Sequence, residues 1–176
     1  MNIEQLKKKI RNIPDFPKKG IVFRDVTTLI KDPRAFKAVI DHLHERYKDC
    51  SIDAIVGVES RGFIFGGVLA DRLGVGFIPA RKPGKLPAET VSESYDLEYG
   101  QATLEIHKDA ITSGTNVLII DDLLATGGTL EATCKLVERL GGKVTEIWVL
   151  MELAFLKGRD KISRYPFFSL IQYDSE

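Results

Sequence analysis

The sequence contains little cysteine and no long apolar run, and these absences exclude several classes of protein. Only two of its 176 residues are cysteines, Cys50 and Cys134. They lack the close pairing of a metal site, so we expect buried free thiols in a reducing compartment, the cytoplasm. No apolar run approaches the ~18 residues of a transmembrane helix, and the N-terminus has no apolar core like that of a signal peptide. We therefore expect no membrane as a partner.

An excess of either charge is also missing. The chain has 25 basic and 25 acidic side chains, which gives a formal net charge of zero. Proteins that bind nucleic acid over a broad surface normally carry a basic excess, so we expect no nucleic acid partner. A small, concentrated basic site stays compatible with this balance. Length and composition (44% hydrophobic, 28% charged residues) fit a single globular domain over 1–176.

Apolar segments of strand length alternate with helical patterns along the chain. Residues 54–58 (AIVGV) are wholly apolar, and residues 116–120 (NVLII) are apolar after Asn116, as in buried parallel strands. Asp32 and Pro33 are typical of a helix start. The alternation predicts an α/β fold with a mostly parallel central sheet flanked by helices. The remaining predictions are strands at 76–80, 144–151 and 167–171, part of a strand within 95–107, helices at 2–13, 63–73 and 130–140, irregular or extended chain at 16–28, and loops at 81–94 and 121–129.

One segment indicates a ligand site. Residues 117–129 read VLIIDDLLATGGT, a strand that leads into two carboxylates, a Thr-Gly-Gly-Thr loop and a helix. Glycines, hydroxyls and free N–H groups at a helix N-terminus suit a phosphate monoester. The carboxylates would repel phosphate but accept hydrogen bonds from vicinal hydroxyls, so the pattern indicates a ribose 5-phosphate. An ordinary strand–turn–helix is the alternative, and the full thirteen-residue pattern disfavours it.

This segment resembles the phosphoribosyl-diphosphate signature of the type I phosphoribosyltransferases, and its details are closest to the adenine-specific members. The resemblance extends from residue 16 to 173 and includes FPKKGIVFRDVTTLIKDP, ESRGFIFG, RKPGKLP, YDLEYGQATLEIHKDAI and MELAFLKGRDKI. It implies the type I phosphoribosyltransferase fold, with an N-terminal helix and base-binding hood over 1–30 and a mobile lid loop over 81–98. The implied reaction transfers ribose 5-phosphate from 5-phosphoribosyl 1-diphosphate to N9 of adenine, giving AMP and diphosphate in purine salvage. A homodimer is implied as well.

The resemblance also implies roles for the residues that bind the sugar substrate. Asp121 and Asp122 would hold the ribose hydroxyls and favour positive charge on the sugar ring. The diphosphate would carry Mg²⁺ on its own oxygens, so no metal site built by protein ligands is expected. The 5-phosphate would be bound by Ala125, Thr126, Gly127, Gly128 and Thr129. The diphosphate would be bound by Ser60, Arg61, Arg81, Lys82 and Lys85, with a cis peptide in the loop around Ser60.

For the base, the resemblance implies a pocket made by Val22, Phe23, Arg24 and Leu153. Phe23 would stack on the purine, and main-chain groups of Val22 and Arg24 would read its 6-amino edge. Glu98 would be catalytic, assisting proton movement at the base.

The residues alone leave alternatives open. The basic side chains could form surface salt bridges or a solvated face, Phe23 and Leu153 could be core residues, and Glu98 could be one more carboxylate at a strand end. Transferases for other bases share the diphosphate motif. A non-catalytic regulator that binds DNA is disfavoured by the zero net charge, and a nucleoside-triphosphate enzyme is disfavoured because the GxxxxGK[ST] pattern is missing.

Overall fold

A five-stranded parallel sheet forms the centre of the molecule. The structure is a computed structural model that describes residues 1–96 and 100–175. The strand order is β4–β3–β7–β8–β9, and all four pairings are parallel. This confirms the predicted α/β fold with a parallel central sheet. The strands are β3 (Ala54–Val58), β4 (Gly76–Ala80), β7 (Asn116–Leu124), β8 (Lys143–Leu153) and β9 (Phe167–Tyr173).

Three long helices cover the sheet, and their starts follow from local chemistry. At the start of α3 (Pro33–Tyr47), Asp32 Oδ1 accepts hydrogen bonds from the N–H groups of Arg34 and Ala35 at 3.0 and 3.1 Å. This confirms the predicted start. The others are α4 (Arg61–Leu73) and α5 (Gly128–Arg139), and the short ones are α1 (Ile3–Lys7), α2 (Thr27–Ile30) and two 3-10 turns, Ala154–Leu156 and Gly158–Asp160.

The core has two layers because successive residues of a strand face opposite sides of the sheet. Leu118 and Ile120 of β7 pack into the layer that contains α3 and α4. Val117 and Ile119 pack into the layer that contains α5. A strand buried on both faces must be apolar at every position, which explains the continuous apolar runs of the sequence.

Two predictions near the N-terminus were only partly right. The helix predicted for residues 2–13 ends at Lys7, and β1 (Arg11–Ile13) pairs antiparallel with β2 (Phe23–Asp25). The segment 16–28, predicted to be irregular or extended, contains the extended strand β2, but it also contains the start of α2 at Thr27, which the sequence did not predict. The error in the first helix arises from the pairing of β1 with β2, which local periodicity does not reveal.

The loops predicted at 81–94 and 121–129 were wrong over part of their length. Residues from Thr90 onward form β5 (Thr90–Asp96), which pairs antiparallel with β6 (Gln101–His107). This hairpin lies against α5, where Arg139 donates a hydrogen bond to the Ser92 carbonyl at 2.6 Å. In the second case β7 continues through both aspartates to Leu124, because residues 121–124 still pair with β8. Within the described residues, no helix has the length and apolar character needed to cross a membrane.

Candidate active site

A cleft of about 240 Å³ opens at the carboxyl ends of β3 and β7. Ligands of open α/β sheets bind at this edge. The cleft is also bordered by Tyr95 and Leu104 of the β5–β6 hairpin. It brings together many of the predicted site residues, namely Arg61, Lys82, Asp121, Asp122, Ala125, Thr126, Gly127 and Thr129.

Asp121 and Asp122 form a buried acidic pair at the base of the cleft. Their exposed fractions are 8% and 4%. Asp121 Oδ1 accepts a hydrogen bond from the Asp122 N–H at 2.8 Å, and Asp122 forms an ion pair with Arg61. Burial, together with the charge of Asp122, raises the pKa of Asp121 well above its ordinary value. The site thus holds two carboxylates close together beside one cation.

Arg61 reaches Asp122 because α4 starts directly against β7. A Cβ on Gly62 would lie 2.6 Å from the Ile120 carbonyl oxygen and 3.2 Å from the Asp121 Cα atom, so only glycine permits this approach. Burial lowers the pKa of Arg61, but the hydrogen bond and charge of Asp122 outweigh it and the pKa is raised. The peptide bond Glu59–Ser60 just before this helix is cis, as the resemblance implied.

The basic segment after β4 is attached to the same loop through Glu59. Glu59 Oε2 accepts a hydrogen bond from the Lys82 N–H at 2.9 Å and from Arg81 Nε at 3.2 Å. Burial raises the pKa of Glu59, but these hydrogen bonds and the nearby cations lower it below its ordinary value. Lys85 contributes its carbonyl oxygen to Arg81 at 3.3 Å. Lys82 therefore borders the cleft, while Arg81 and Lys85 lie beside it.

Residues 125–129 form the turn between β7 and α5. Gly127 adopts a φ of +86°, which glycine tolerates and most residues do not. A Cβ there would also lie 2.5 Å from the Gly158 carbonyl oxygen. Thr129 Oγ1 donates a hydrogen bond to the Tyr95 hydroxyl oxygen at 3.2 Å. The first N–H groups of α5, which have no partner within a helix, are at this end of the cleft.

The residues predicted for the base lie outside the cleft lining. The Phe23 ring contacts the Phe16 ring edge-on, with centroids 5.3 Å apart. The Arg24 guanidinium lies 4.3 Å from the centroid of the Tyr173 ring, and Tyr173 pairs with Leu153 between β9 and β8. Arg24, Tyr173 and Leu153 thus gather beyond the carboxyl ends of β8 and β9, next to Phe23 in β2. Val22 directly precedes β2. Glu98 lies outside the described residues.

Sequence reasoning missed three residues of the site. Glu59 follows a buried strand, and that position could have suggested a role. Tyr95 lies in a segment whose strand depends on pairing with β6, so its place at the cleft was hidden. Gly158 lies in a short 3-10 turn, and we find no sequence signal for its contact with the loop at 125–129.

The chain matches the family described as phosphoribosyl transferase domain over residues 25–174. It therefore belongs to the phosphoribosyltransferase family. Within that family its relatives are adenine phosphoribosyltransferases. The one from Chloroflexus aurantiacus is 58% identical over 98% of this chain and 100% of the relative.

Solved structures agree with this placement. The adenine phosphoribosyltransferase of Thermoanaerobacter pseudethanolicus superimposes with a TM-score of 0.94 and is 56% identical, covering 98% of this chain and 100% of that one. The enzyme from Giardia lamblia, whose structure contains 9-deazaadenine, has a TM-score of 0.92 and 43% identity, covering 98% of each chain. The fold is therefore that of the type I phosphoribosyltransferases.

Proposed function

We propose that the protein is an adenine phosphoribosyltransferase that transfers ribose 5-phosphate from 5-phosphoribosyl 1-diphosphate to N9 of adenine. The products are AMP and diphosphate, and the role is purine salvage. One observation carries the proposal: a single cleft joins the acidic pair Asp121–Asp122 to the glycine- and threonine-containing turn at 125–129. Phosphate and diol groups are then bound by adjacent parts of one strand–turn–helix unit. The identity to adenine phosphoribosyltransferases over nearly the whole chain supports the choice of base.

In this proposal the turn binds the 5-phosphate and the acidic pair binds the ribose. N–H groups at the start of α5 and the hydroxyls of Thr126 and Thr129 donate to phosphate oxygens. The carboxylates accept hydrogen bonds from the 2- and 3-hydroxyls. Their negative charge also stabilises the positive charge that develops on the sugar as the bond to diphosphate breaks. Arg61 is ion-paired with Asp122 and lies beside this ribose site.

The diphosphate subsite would be built by the loop around Ser60 and by the basic segment that follows β4. Arg61 and Lys82 border the cleft, and Arg81 and Lys85 would approach when the lid closes. We further propose that residues 81–98 act as this lid, which would exclude water from the reacting sugar.

Mg²⁺ would enter with the diphosphate. The described residues contain no group of three or more His, Cys, Asp or Glu side chains able to hold a metal ion. In this proposal the cation is coordinated mainly by substrate oxygens and water. When bound, Mg²⁺ would neutralise charge on the leaving diphosphate.

The base would bind between β2 and the end of β8. Phe23 would stack on the purine, with Leu153 on the opposite side. Main-chain groups of Val22 and Arg24 would match the donor and acceptor of the 6-amino edge, and Glu98 would assist proton movement at the base. Among the described residues, the buried Arg24 Nε atom has no hydrogen-bond partner, so one N–H donor beside the proposed base site remains unused.

We also propose a homodimer in the cytoplasm. Both cysteines are free thiols, which supports a reducing compartment; Cys134 is buried as expected, whereas the expectation was wrong for Cys50, which is exposed. The half-exposed apolar side chains Phe63 and Ile64 on α4 support a subunit interface. Light scattering that reports a monomer would contradict the dimer.

The activity is tested by incubating the protein with adenine, 5-phosphoribosyl 1-diphosphate and Mg²⁺. AMP and diphosphate should appear in equal amounts, and excess chelator should stop their formation. The Asp122→Asn protein serves as the control for contaminating enzymes, since it should form far less AMP. Wild-type protein that forms no AMP above a no-protein control would contradict the proposal.

A further inference from the structure

Two clusters of similar composition lie near opposite ends of β8. Each consists of a glutamate from β8, an arginine that contacts it through two nitrogens, and a hydroxyl group. We call them the Glu152 cluster (Glu152, Arg159, Ser169) and the Glu146 cluster (Glu146, Arg46, Tyr47). Only the Glu152 cluster lies at the carboxyl end of the sheet, next to the turn at 125–129.

The Glu152 cluster is a closed set of hydrogen bonds around a buried carboxylate. The Glu152 side chain is 3% exposed. Arg159 donates to its two oxygens from Nε at 2.5 Å and from Nη2 at 2.6 Å. Ser169 donates to Oε2 at 2.8 Å. The Arg159 guanidinium also lies 4.7 Å from the centroid of the Phe167 ring, so its position is fixed by both a charge and an aromatic face.

Two connections link this cluster to the turn at 125–129. Arg159 directly follows Gly158, and the backbones of Gly158 and the turn touch. A Cβ on Gly127 would lie 2.5 Å from the Gly158 carbonyl oxygen, and a Cβ on Gly158 would overlap the Ala125 carbonyl oxygen. In addition, Glu152 is the register partner of Leu124, the residue just before Ala125. Glu152 thus lies beside the strand that leads into the turn through its backbone, and its carboxylate binds the arginine that follows Gly158.

We propose that Glu152, Arg159 and Ser169 are positioning residues for the 5-phosphate subsite. The cluster holds Gly158 against Ala125 and Gly127, which fixes the spacing of the N–H groups that receive the phosphate. None of the three side chains borders the cleft, so the effect acts through the backbone. The inference rests on the proposed function of the turn at 125–129 as the 5-phosphate site.

The Glu146 cluster provides a matched control. Arg46 donates to Glu146 from Nε at 2.9 Å and from Nη2 at 2.8 Å, and the Tyr47 hydroxyl donates at 2.5 Å. The Arg46 guanidinium lies 3.9 Å from the centroid of the Phe168 ring. The register partner of Glu146 in β7 is Leu118, three residues before Asp121. Loss of this cluster should therefore affect stability and leave the cleft unchanged.

The test compares Glu152→Gln with Glu146→Gln. Ribose 5-phosphate binding is measured by calorimetric titration, and KM is measured separately for 5-phosphoribosyl 1-diphosphate and for adenine. Both variants should melt at a lower temperature than wild type. Glu152→Gln should weaken ribose 5-phosphate binding about tenfold and raise the KM for 5-phosphoribosyl 1-diphosphate similarly, while Glu146→Gln leaves both within about twofold. The KM for adenine should stay within about twofold in each.

Equal effects of the two variants on ribose 5-phosphate binding, or no effect of Glu152→Gln, would overturn the inference. Wild-type protein that neither binds ribose 5-phosphate nor forms AMP would overturn the proposed function as well, so the two failures are distinguishable. If Glu152→Gln does not fold, Ser169→Ala is compared with Tyr47→Phe. Each removes one hydroxyl from its cluster, and only Ser169→Ala should weaken ribose 5-phosphate binding.

Discussion

The fold places the carboxyl group of Asp121 where its charged form is unfavourable. Its carboxyl group is buried, lies next to Asp122, and has a raised pKa. A carboxyl whose pKa is higher in the folded than in the unfolded chain stabilises the fold when protonated. This contribution to stability is fully present below 3.8, the pKa of the unfolded chain, and it is lost as the pH rises through the pKa of the folded chain. Ionisation of Asp121 in the folded chain therefore costs stability.

Asp121→Asn should consequently stabilise the protein at pH 7 while it damages function. The amide cannot ionise, and its oxygen can still accept the Asp122 N–H. We expect a melting temperature about 2–4 °C higher than that of wild type and a kcat/KM lower by at least about 100-fold, because a charge near the reacting sugar is lost. Calorimetry and AMP formation measure the two effects. Asp71→Asn, at an exposed site on α4, is the control that should change neither.

A melting temperature below that of wild type at pH 7 would contradict this account of Asp121. The difference between variant and wild type should also shrink as the pH is lowered toward 3.8, the unfolded pKa, because the protonated carboxyl of wild type then regains its contribution to stability.

The pKa of Asp25 is shifted in the opposite direction, below its ordinary value. Its carboxylate accepts hydrogen bonds from the Thr27 hydroxyl at 2.6 Å and N–H at 2.9 Å, and from Arg11 Nη2 at 2.5 Å. The Thr27 hydroxyl and Arg11 are the main causes that lower the pKa of Asp25 to about 2. The contribution of Asp25 to stability is present above 3.8, the pKa of the unfolded chain, and it is lost as the pH falls toward about 2, the pKa of the folded chain.

Asp25→Asn should lower the free energy of unfolding at pH 7 by about 2 kcal/mol. Arg11 and Thr27 hold the N-terminal strand pair through this carboxylate, so the loss should be largest there. Urea unfolding of both proteins at several pH values gives the measurement. The two curves should converge between pH 4 and pH 2, and a difference that stays constant over that range would be evidence against the proposed hydrogen bonds.

At the scale of elements, the position of α4 relative to β7 determines the cleft. Arg61 can reach Asp122 only because α4 begins in contact with the β7 backbone at Gly62. Gly67 lies in the same helix, but a Cβ there would meet no heavy atom of the described residues within 4 Å, apart from its chain neighbours and the nearby backbone of its own helix. The two glycines therefore separate the effect of close packing from that of helix propensity.

Gly62→Ala should destabilise the protein by about 1–3 kcal/mol, since the new methyl group would push α4 away from the Ile120 carbonyl. Displacement of Arg61 should also lower kcat/KM. Gly67→Ala should instead stabilise it by about 0.5–1 kcal/mol, because alanine is the better helix former. Thermal unfolding and AMP formation of both variants check this. Equal stability of the two variants would argue against a tight contact at Gly62.

Elements whose sequence signal lies within one segment could be predicted from the sequence. Elements that are recognisable only through their contact with a second segment could not. β3 and β4 have the predicted bounds because each is a short apolar run. Asp32 fixed the start of α3 through its own side chain. β5, in contrast, is polar on alternate residues and exists through its pairing with β6. Gly158 and the Glu152 cluster approach the turn at 125–129 only in the folded chain, so no local pattern marked them.

At the scale of the whole molecule, the zero net charge conceals a concentration of both charges at the carboxyl edge of the sheet. Arg61 and Lys82 line the same cleft as Asp121 and Asp122, and Arg61 is ion-paired with Asp122. A ligand with a polyanionic end and a hydroxyl-bearing sugar can use both signs. In the proposed function, neutral N–H groups at the start of α5 would supply the second phosphate subsite without adding charge. A balanced composition is therefore compatible with a small polyanionic substrate.

The base competition experiment tests the central claim most directly. The protein is incubated with 5-phosphoribosyl 1-diphosphate, Mg²⁺ and equal concentrations of adenine, hypoxanthine and guanine, and the nucleotides formed are separated and counted. A backbone readout of the 6-amino edge leaves polar groups unpaired when a 6-oxo purine binds. We predict that AMP exceeds the other nucleotides by at least about 100-fold. Comparable amounts of a 6-oxopurine nucleotide, or no nucleotide at all, would contradict the account.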